Sequence, residues 1–282
     1  MLEVLHQSPR EYGQEQTRWT LGALRRACPW WQQRSEGGVW VVLHRLGLHW
    51  LRGRDHLHSP DPHYQAKLEW VRLLQELVQH LPGQHVLLWQ DELTYYRQPS
   101  LSYAWEEAGE QPLAERSYRS NTAWRVVAAL NPGNGAVHYR QAAHITVPTL
   151  VEFYAQLCEH YPGQQLWLVQ DNWPVHFHPQ VLAALQPQET PFPWHLSRFW
   201  DHLPTPQPRP VPLPIQLVLL PTYAPWCNPL EKLWRRLKQE VLHLHRWGDD
   251  LDELRRQVAR FLAQFANGSR DLLRYVGLLV PN

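Results

Sequence analysis

Two stretches decide the fold: LPGQHVLLWQDE at residues 81–92 and YPGQQLWLVQDN at residues 161–172. Each opens on Pro-Gly, runs through a short apolar strand and closes on an acid. In each, the proline lies nine residues before the aspartate, Pro82 before Asp91 and Pro162 before Asp171. A helix precedes each strand. Leu68, Val71, Leu74 and Val78 recur at helical spacing over 64–80, and PTLVEFYAQLCEH (148–160) supplies the second helix. Pro-Gly stops both. Buried strands alternating with helices imply an α/β layer fold. The two aspartates are expected at the C-terminal ends of their strands, where sites collect in open α/β sheets.

Outward from these units, 92–147 is expected to be an antiparallel excursion. RVVAAL (125–130) and GAVHYRQA (135–142) flank the turn signal Asn131-Pro-Gly-Asn-Gly. After Asp171 come a helix at about 177–185, a proline-rich insertion at 187–214 and a strand, IQLVLLP (215–221). So many prolines exclude a regular helix or central strand from the insertion. A long amphipathic helix is predicted from Pro229 to about Arg246, then a last helix at 249–266 and an apolar tail. Residues 1–62 read as a separate piece. GVWVVLHRLGLHWLRGRDHLHSPDPHY (38–64) fits either the last helix and wing of a helix-turn-helix unit or an adaptor arm. Residues 63–282 form the main domain.

Lys+Arg number 27 against 26 Asp+Glu, a net charge of +1 that neither suggests nor excludes a nucleic-acid partner. The basic residues are almost all arginine, with lysine only at 67, 232 and 238. Arginine suits bidentate phosphate contacts, and genomic base composition explains the bias equally well. Cys28, Cys158 and Cys227 are scattered, so neither a disulfide framework nor a zinc site is expected. A reducing, cytoplasmic setting follows, with no membrane span or signal peptide.

Three acids stand out, and each has a structural explanation beside a functional one. Asp91 and Asp171 are loop acids or site acids at strand exits; Asn172 also suits a turn. Asn228, Pro229 and Glu231 have the N-cap, N1 and N3 spacing of a capping box. Leu230, Leu233, Trp234, Leu237, Val241 and Leu244 form one helical stripe, with Glu231 at its edge beside Arg235 and Lys238. Three hard oxygen ligands without a His/Cys cluster favour Mg²⁺ or Mn²⁺ over zinc. Two such ions activate water or a 3′-hydroxyl and stabilise a leaving oxygen. Arg235, Arg236 and Lys238 contact phosphates or simply form a solvated face. Trp173 and Trp226 touch DNA or pack as a lid.

LLWQDE (87–92), LVQDNWPVH (168–176) and LVLLPTYAPWCNPLEKLWRRLK (217–238) resemble the three catalytic blocks of bacterial mariner-like insertion-sequence transposases. DELTYYRQPSLSYAWEEAGEQP (91–112) resembles the family's stretch after the first aspartate, with Pro99, Trp105 and Gly109 matching. The resemblance implies a ribonuclease-H-like mixed sheet flanked by helices. It makes Asp91, Asp171 and Glu231 a DDE triad holding Mg²⁺ or Mn²⁺, with Asn172 and Asn228 as neighbours of the acids. The implied activity is cleavage of double-stranded DNA at element ends and strand transfer into a target, by a homodimer associated with the nucleoid. His176 matches a family histidine; it steadies the site, contacts a phosphate, or is structural. The match is strong over about 60–246 and weak over 38–60, which looks like the end of a truncated winged-helix segment. The proline-rich insertion stretches the Asp171-to-Glu231 interval to 60 residues, beyond the family's usual spacing. A non-enzymatic DNA-binding remnant and a nuclease without strand transfer are the competing readings. A carbohydrate hydrolase fits three clustered acids less well.

Overall fold

The computed structural model describes residues 2–51, 58–188, 191–194, 197, 200 and 202–279. The chain divides into two compact units, Met1–Leu57 and His58–Asn282. The first unit holds three short helices, α1 (Leu2–His6), α2 (Leu21–Ala27) and α3 (Glu36–Arg45). Thr20 Oγ1 accepts the Ala23 N–H and Ser35 Oγ accepts the Gly38 N–H, which starts α2 and α3 with satisfied caps. Trp19, Ala23, Leu24, Trp31 and Val39 form a small core. The unit is helical, with no strand among its described residues. Residues 52–57 of the expected wing lie outside the described residues.

In the second unit the chain runs α4 (Tyr64–His80), β1 (His85–Tyr96), β2 (Ala123–Leu130), β3 (Val137–Ala142), α5 (Val147–His160) and β4 (Gln165–Gln170). It continues through α6 (Pro179–Leu185), β5 (Ile215–Leu219), α7 (Leu230–Leu237), α8 (Leu251–Ala263) and α9 (Arg270–Val276). The sheet order is β3-β2-β1-β4-β5. β1 pairs antiparallel with β2 and β2 with β3, while β1–β4 and β4–β5 are parallel. This is the mixed sheet flanked by helices that the sequence implied. Alternation along the strands sorts the core into two layers. Leu87, Trp89, Val169 and Val218 face α4, α7 and α8 through Val71, Leu74, Leu233, Trp234 and Leu254. Val86, Leu88, Leu166, Leu168 and Leu217 face α5 and α6 through Phe153, Leu157 and Val181. Helices on both faces explain why these strands read as continuous apolar runs.

Several boundaries differ from expectation. β1 does not end at its acid. It continues to Tyr96 against β2, with Leu93 and Tyr95 buried and Thr94 and Tyr96 exposed. The helix predicted to reach Arg246 stops at Leu237, followed by a π turn over Lys238–Leu242. There the backbone leaves the helix to meet Ser100. The Leu244 N–H donates to Ser100 C=O at 3.0 Å, Ser100 Oγ lies 2.8 Å from His243 Nδ1, and Leu244 takes a φ of 50°. The stripe from Leu230 to Leu244 therefore belongs to one helix only over its first half. α6 starts at Pro179, after a 3₁₀ turn over Pro174–Phe177. The last predicted helix shortens to α8, capped by Asp250, and the apolar tail contains α9. The described residues of the proline-rich insertion form no α-helix or strand. Among the described residues, no helix is long and apolar enough to cross a membrane.

Candidate active site

β1 and β4 pair in parallel from His85 with Gln165 to Trp89 with Val169, offset by 80 residues throughout. Asp91 and Asp171 therefore occupy equivalent positions, two residues past the last pair. Here the strands part. β1 continues, with Asp91 opposite Ala128, while β4 ends at Gln170. The expectation of two strand-end aspartates holds for Asp171; Asp91 lies mid-strand, where the parallel half of the sheet opens.

Asp91 faces α7. Trp234 Nε1 donates to Asp91 Oδ2 at 3.0 Å. Burial pushes the Asp91 carboxyl up to about 7, and the charges of Glu231 and Asp171 push the same way. Glu231, in the first turn of α7, is also raised, by burial foremost and by Asp171, with Lys238 opposing. Asp171 behaves differently. Burial would raise it, but the His176 ring and the Trp173 N–H, 2.9 Å from Oδ1, hold it below the usual range. The three predicted acids thus feel one another's charge across β1, the β4 exit and α7.

Asparagines hold this geometry. Buried Asn228 donates from Nδ2 to the Gln90 C=O at 2.9 Å, and its Oδ1 accepts the Leu230 N–H at 3.1 Å. It ties the strand carrying Asp91 to the helix carrying Glu231. Asn172 Nδ2 donates to the Leu220 C=O at 2.8 Å, joining the β4 exit to the β5 exit. The capping box read from Asn228 and Glu231 does not form. Pro225 C=O already takes the Asn228 N–H at 2.9 Å, so that donor is not offered to Glu231. A second clamp lies behind the β5 exit. Asp61 accepts from Lys67 Nζ at 2.7 Å, the Thr222 N–H at 2.9 Å and the His63 N–H at 2.8 Å, while Ser59 Oγ donates to the Thr222 C=O at 2.5 Å.

The other face of the sheet carries a polar cluster in which Glu92, Gln90, Gln170 and Tyr154, not singled out from the sequence as site residues, join the expected Asp171 and His176. Glu92, next to Asp91, points away from α7. Its Oε1 accepts from Gln90 Nε2 at 2.5 Å, and burial holds its carboxyl well above the usual range. His176 Nε2 lies 3.6 Å from Glu92 Oε1 and 3.4 Å from Asp171 Oδ1. Tyr154 of α5 completes the cluster with Gln90 and Gln170. Among the described residues, Glu92, Asp171 and His176 form the group whose ligand atoms gather within 4.8 Å of one another, tight enough to hold a metal ion. The signal for this cluster was Gln-Asp in both matched units, a polar residue preceding each acid after an apolar run.

The residues proposed to meet DNA scatter in their environments. Lys238 and Arg235 are exposed. Arg236 is held by Glu240 at 2.6 Å and stacks near Phe265 and Tyr275, so its guanidinium is already engaged. Trp226 is exposed and donates to Tyr64 OH at 3.0 Å. Trp173 packs edge-on against His176.

This acidic split sheet meets its counterpart in known proteins. Residues 86–255, more than half of the chain, match the family described as DDE superfamily endonuclease. The chain belongs to that family. It is also 21% identical to the insertion element IS630 uncharacterized 39 kDa protein of Shigella sonnei, over 96% of this chain and 73% of that protein. The fold is that of the Mos1 transposase. The paired-end complex with left transposon end matches with a TM-score of 0.59 at 13% identity, over 96% of this chain and 75% of that one. The Mos1 mariner paired end complex with Mn matches with a TM-score of 0.59 at 13% identity, over 95% of this chain and 73% of that one. Membership makes the chain an endonuclease-family enzyme, and carboxylates clustered where the inner strands β1 and β4 part are what metal-dependent phosphodiester cleavage requires.

Proposed function

We propose that this chain is a DNA transposase whose divalent ions are held by Asp91, Asp171 and Glu231. The observation that carries the reading is placement: the β1–β4 register sets Asp91 and Asp171 at equivalent positions, and Asp91 accepts from Trp234 of the helix whose first turn carries Glu231, so that burial and the charges of Glu231 and Asp171 push its carboxyl up. A cation seated among the three relieves that repulsion, and hard carboxylate oxygens suit Mg²⁺ or Mn²⁺. When bound, a pair of such ions activates the attacking hydroxyl and stabilises the leaving oxygen. The chain's own residues do the positioning. Trp234 orients Asp91, the Trp173 N–H and His176 orient Asp171, and Asn228 keeps Glu231 in step with β1.

The alternative donor set of Glu92, Asp171 and His176 is less suited to meet DNA. The Asp171 side chain is 56% exposed, but Glu92 is 17% and His176 only 1%. With two of its three donors so buried, this cluster is read as support for Asp171.

By extension from the paired-end complexes of Mos1, the substrates are double-stranded DNA, both element ends and target, and the working form is a homodimer. Residues 1–62 are read as a DNA-binding remnant or an adaptor and 63–282 as the catalytic domain. Lys238, Arg235, Trp226 and Trp173 are the side chains expected to meet DNA. Purified full-length chain is incubated with Mn²⁺ and duplexes carrying the DNA that flanks its gene. Nicks at a defined end, together with products joined to a target plasmid, are expected. Nicks without joining identify a nuclease, and equal cleavage by Asp91→Asn refutes the assigned site.

A further inference from the structure

Tyr154 is fully buried on α5, on the sheet face opposite α7. Its hydroxyl lies 3.3 Å from Gln90 Oε1, 3.2 Å from Gln170 Oε1 and 3.3 Å from His176 Nδ1. A phenol has one proton to give and can accept others. Gln170 Nε2 is buried without a hydrogen-bond partner among the described residues. Rotating that amide by half a turn exchanges its nitrogen and oxygen, so that the N–H donates to Tyr154 and the unpartnered place passes to the carbonyl oxygen, the less costly atom to leave unpaired. The acceptors left for the phenol proton are then Gln90 Oε1 and His176 Nδ1.

His176 decides between them. Its Nε2 is buried and faces two carboxylate oxygens, Asp171 Oδ1 at 3.4 Å and Glu92 Oε1 at 3.6 Å. A nitrogen lone pair there would be repelled, and an N–H is attracted. A neutral imidazole carries one N–H, so Nδ1 holds the lone pair and needs a donor. Tyr154 is the donor beside it.

The geometry points to Tyr154 as a positioning residue that, through the Nε2–H tautomer of His176, fixes the Asp171 carboxylate. Asp171 Oδ1 then accepts from the Trp173 N–H at 2.9 Å and has the otherwise unpartnered His176 Nε2–H beside it at 3.4 Å. Oδ2 is the oxygen left for a cation. The inference rests on the metal-binding reading above for its purpose, but the relay itself is a property of the metal-free protein. The rival arrangement, in which His176 is itself a metal ligand, requires the opposite tautomer, with Nδ1–H donating to Tyr154.

The test uses full-length protein labelled with ¹⁵N-histidine at pH 8, with His176 assigned from the signals lost in His176→Asn. Metal-free wild type is expected to show Nε2–H and a hydrogen-bonded Nδ1. In Tyr154→Phe the Nδ1 signal moves to the position of a free lone pair, and Mn²⁺ binds about 10-fold more weakly, as for lost outer-shell partners elsewhere. A purely structural role for Tyr154 would lower the melting temperature without moving either readout. Nδ1–H or a doubly protonated ring in wild type overturns the proposal, and needs no variant to fold. So does an unchanged Mn²⁺ affinity in a folded Tyr154→Phe. Wild type that binds no Mn²⁺ sinks the functional reading instead, and the metal-free spectrum still decides the relay.

Discussion

Replacing Asn228 by alanine should cost more stability than its place in a connecting loop suggests. The side chain is buried and makes two hydrogen bonds, to the Gln90 C=O and from the Leu230 N–H. Losing the second takes the acceptor from the buried Leu230 N–H at the start of α7, about 1 kcal/mol for an ordinary hydrogen bond. Losing the first leaves a buried strand carbonyl short of a donor, about 1–3 kcal/mol. The sum is about 2–4 kcal/mol, read as a shift in the urea midpoint at constant slope. Asn228→Asp keeps the Leu230 acceptor but sets a carboxylate against the Gln90 carbonyl, so it should preserve that bond and still lose about the larger share. Because the same side chain couples β1 to α7, both variants should also weaken Mn²⁺ binding. A loss below about 0.5 kcal/mol, the range of ordinary surface changes, would refute the coupling.

Other substitutions separate function from stability. Asp91→Asn should abolish Mn²⁺-dependent cleavage yet raise the melting temperature of the metal-free protein at pH 8, because it removes a charge that Glu231 and Asp171 repel; a lowered melting temperature contradicts this. Glu231→Gln should leave stability within about 0.5 kcal/mol, since no capping box is lost, while cleavage disappears. The Asp61 carboxyl is held at about 2, burial opposing but Lys67 and the Thr222 and His63 N–H groups prevailing. Its folded pKa lies below the unfolded value of about 3.9, so its contribution is full above that value and is lost as pH falls through about 2. Asp61→Asn should therefore flatten the acid limb of stability in that window, measured by urea titration at stepped pH. Lys67→Met, which strands a buried carboxylate, should cost about 3–5 kcal/mol at pH 7.

The matched units were legible because apolar periodicity and Pro-Gly punctuation are local signals. Pro82 and Pro162 even carry the 80-residue offset of the β1–β4 register. The mid-strand place of Asp91 was not legible. Leu93 and Tyr95 alternate with exposed Thr94 and Tyr96, and only pairing with β2 shows that the strand continues. The early end of α7 was hidden for a similar reason: Leu244 keeps the helical stripe while Ser100, far away in sequence, takes its backbone. Glu231 fitted a capping pattern by spacing alone, and only the contact between Asn228 and Pro225 removes it. The polar cluster around Tyr154 brings together β1, α5, β4 and the turn after it. No single stretch of sequence contains it.

The clasp at Asp61 bears on how such a chain can be recombined. Ser59 and Asp61 come just before α4, yet by charge and hydrogen bonding they belong to the far side of the sheet, at Thr222. A fusion that replaces the first unit while keeping the sheet should join upstream of Ser59. Joined at Tyr64 instead, the hybrid would keep every strand of the sheet but leave the buried Lys67 ammonium without its counter-charge.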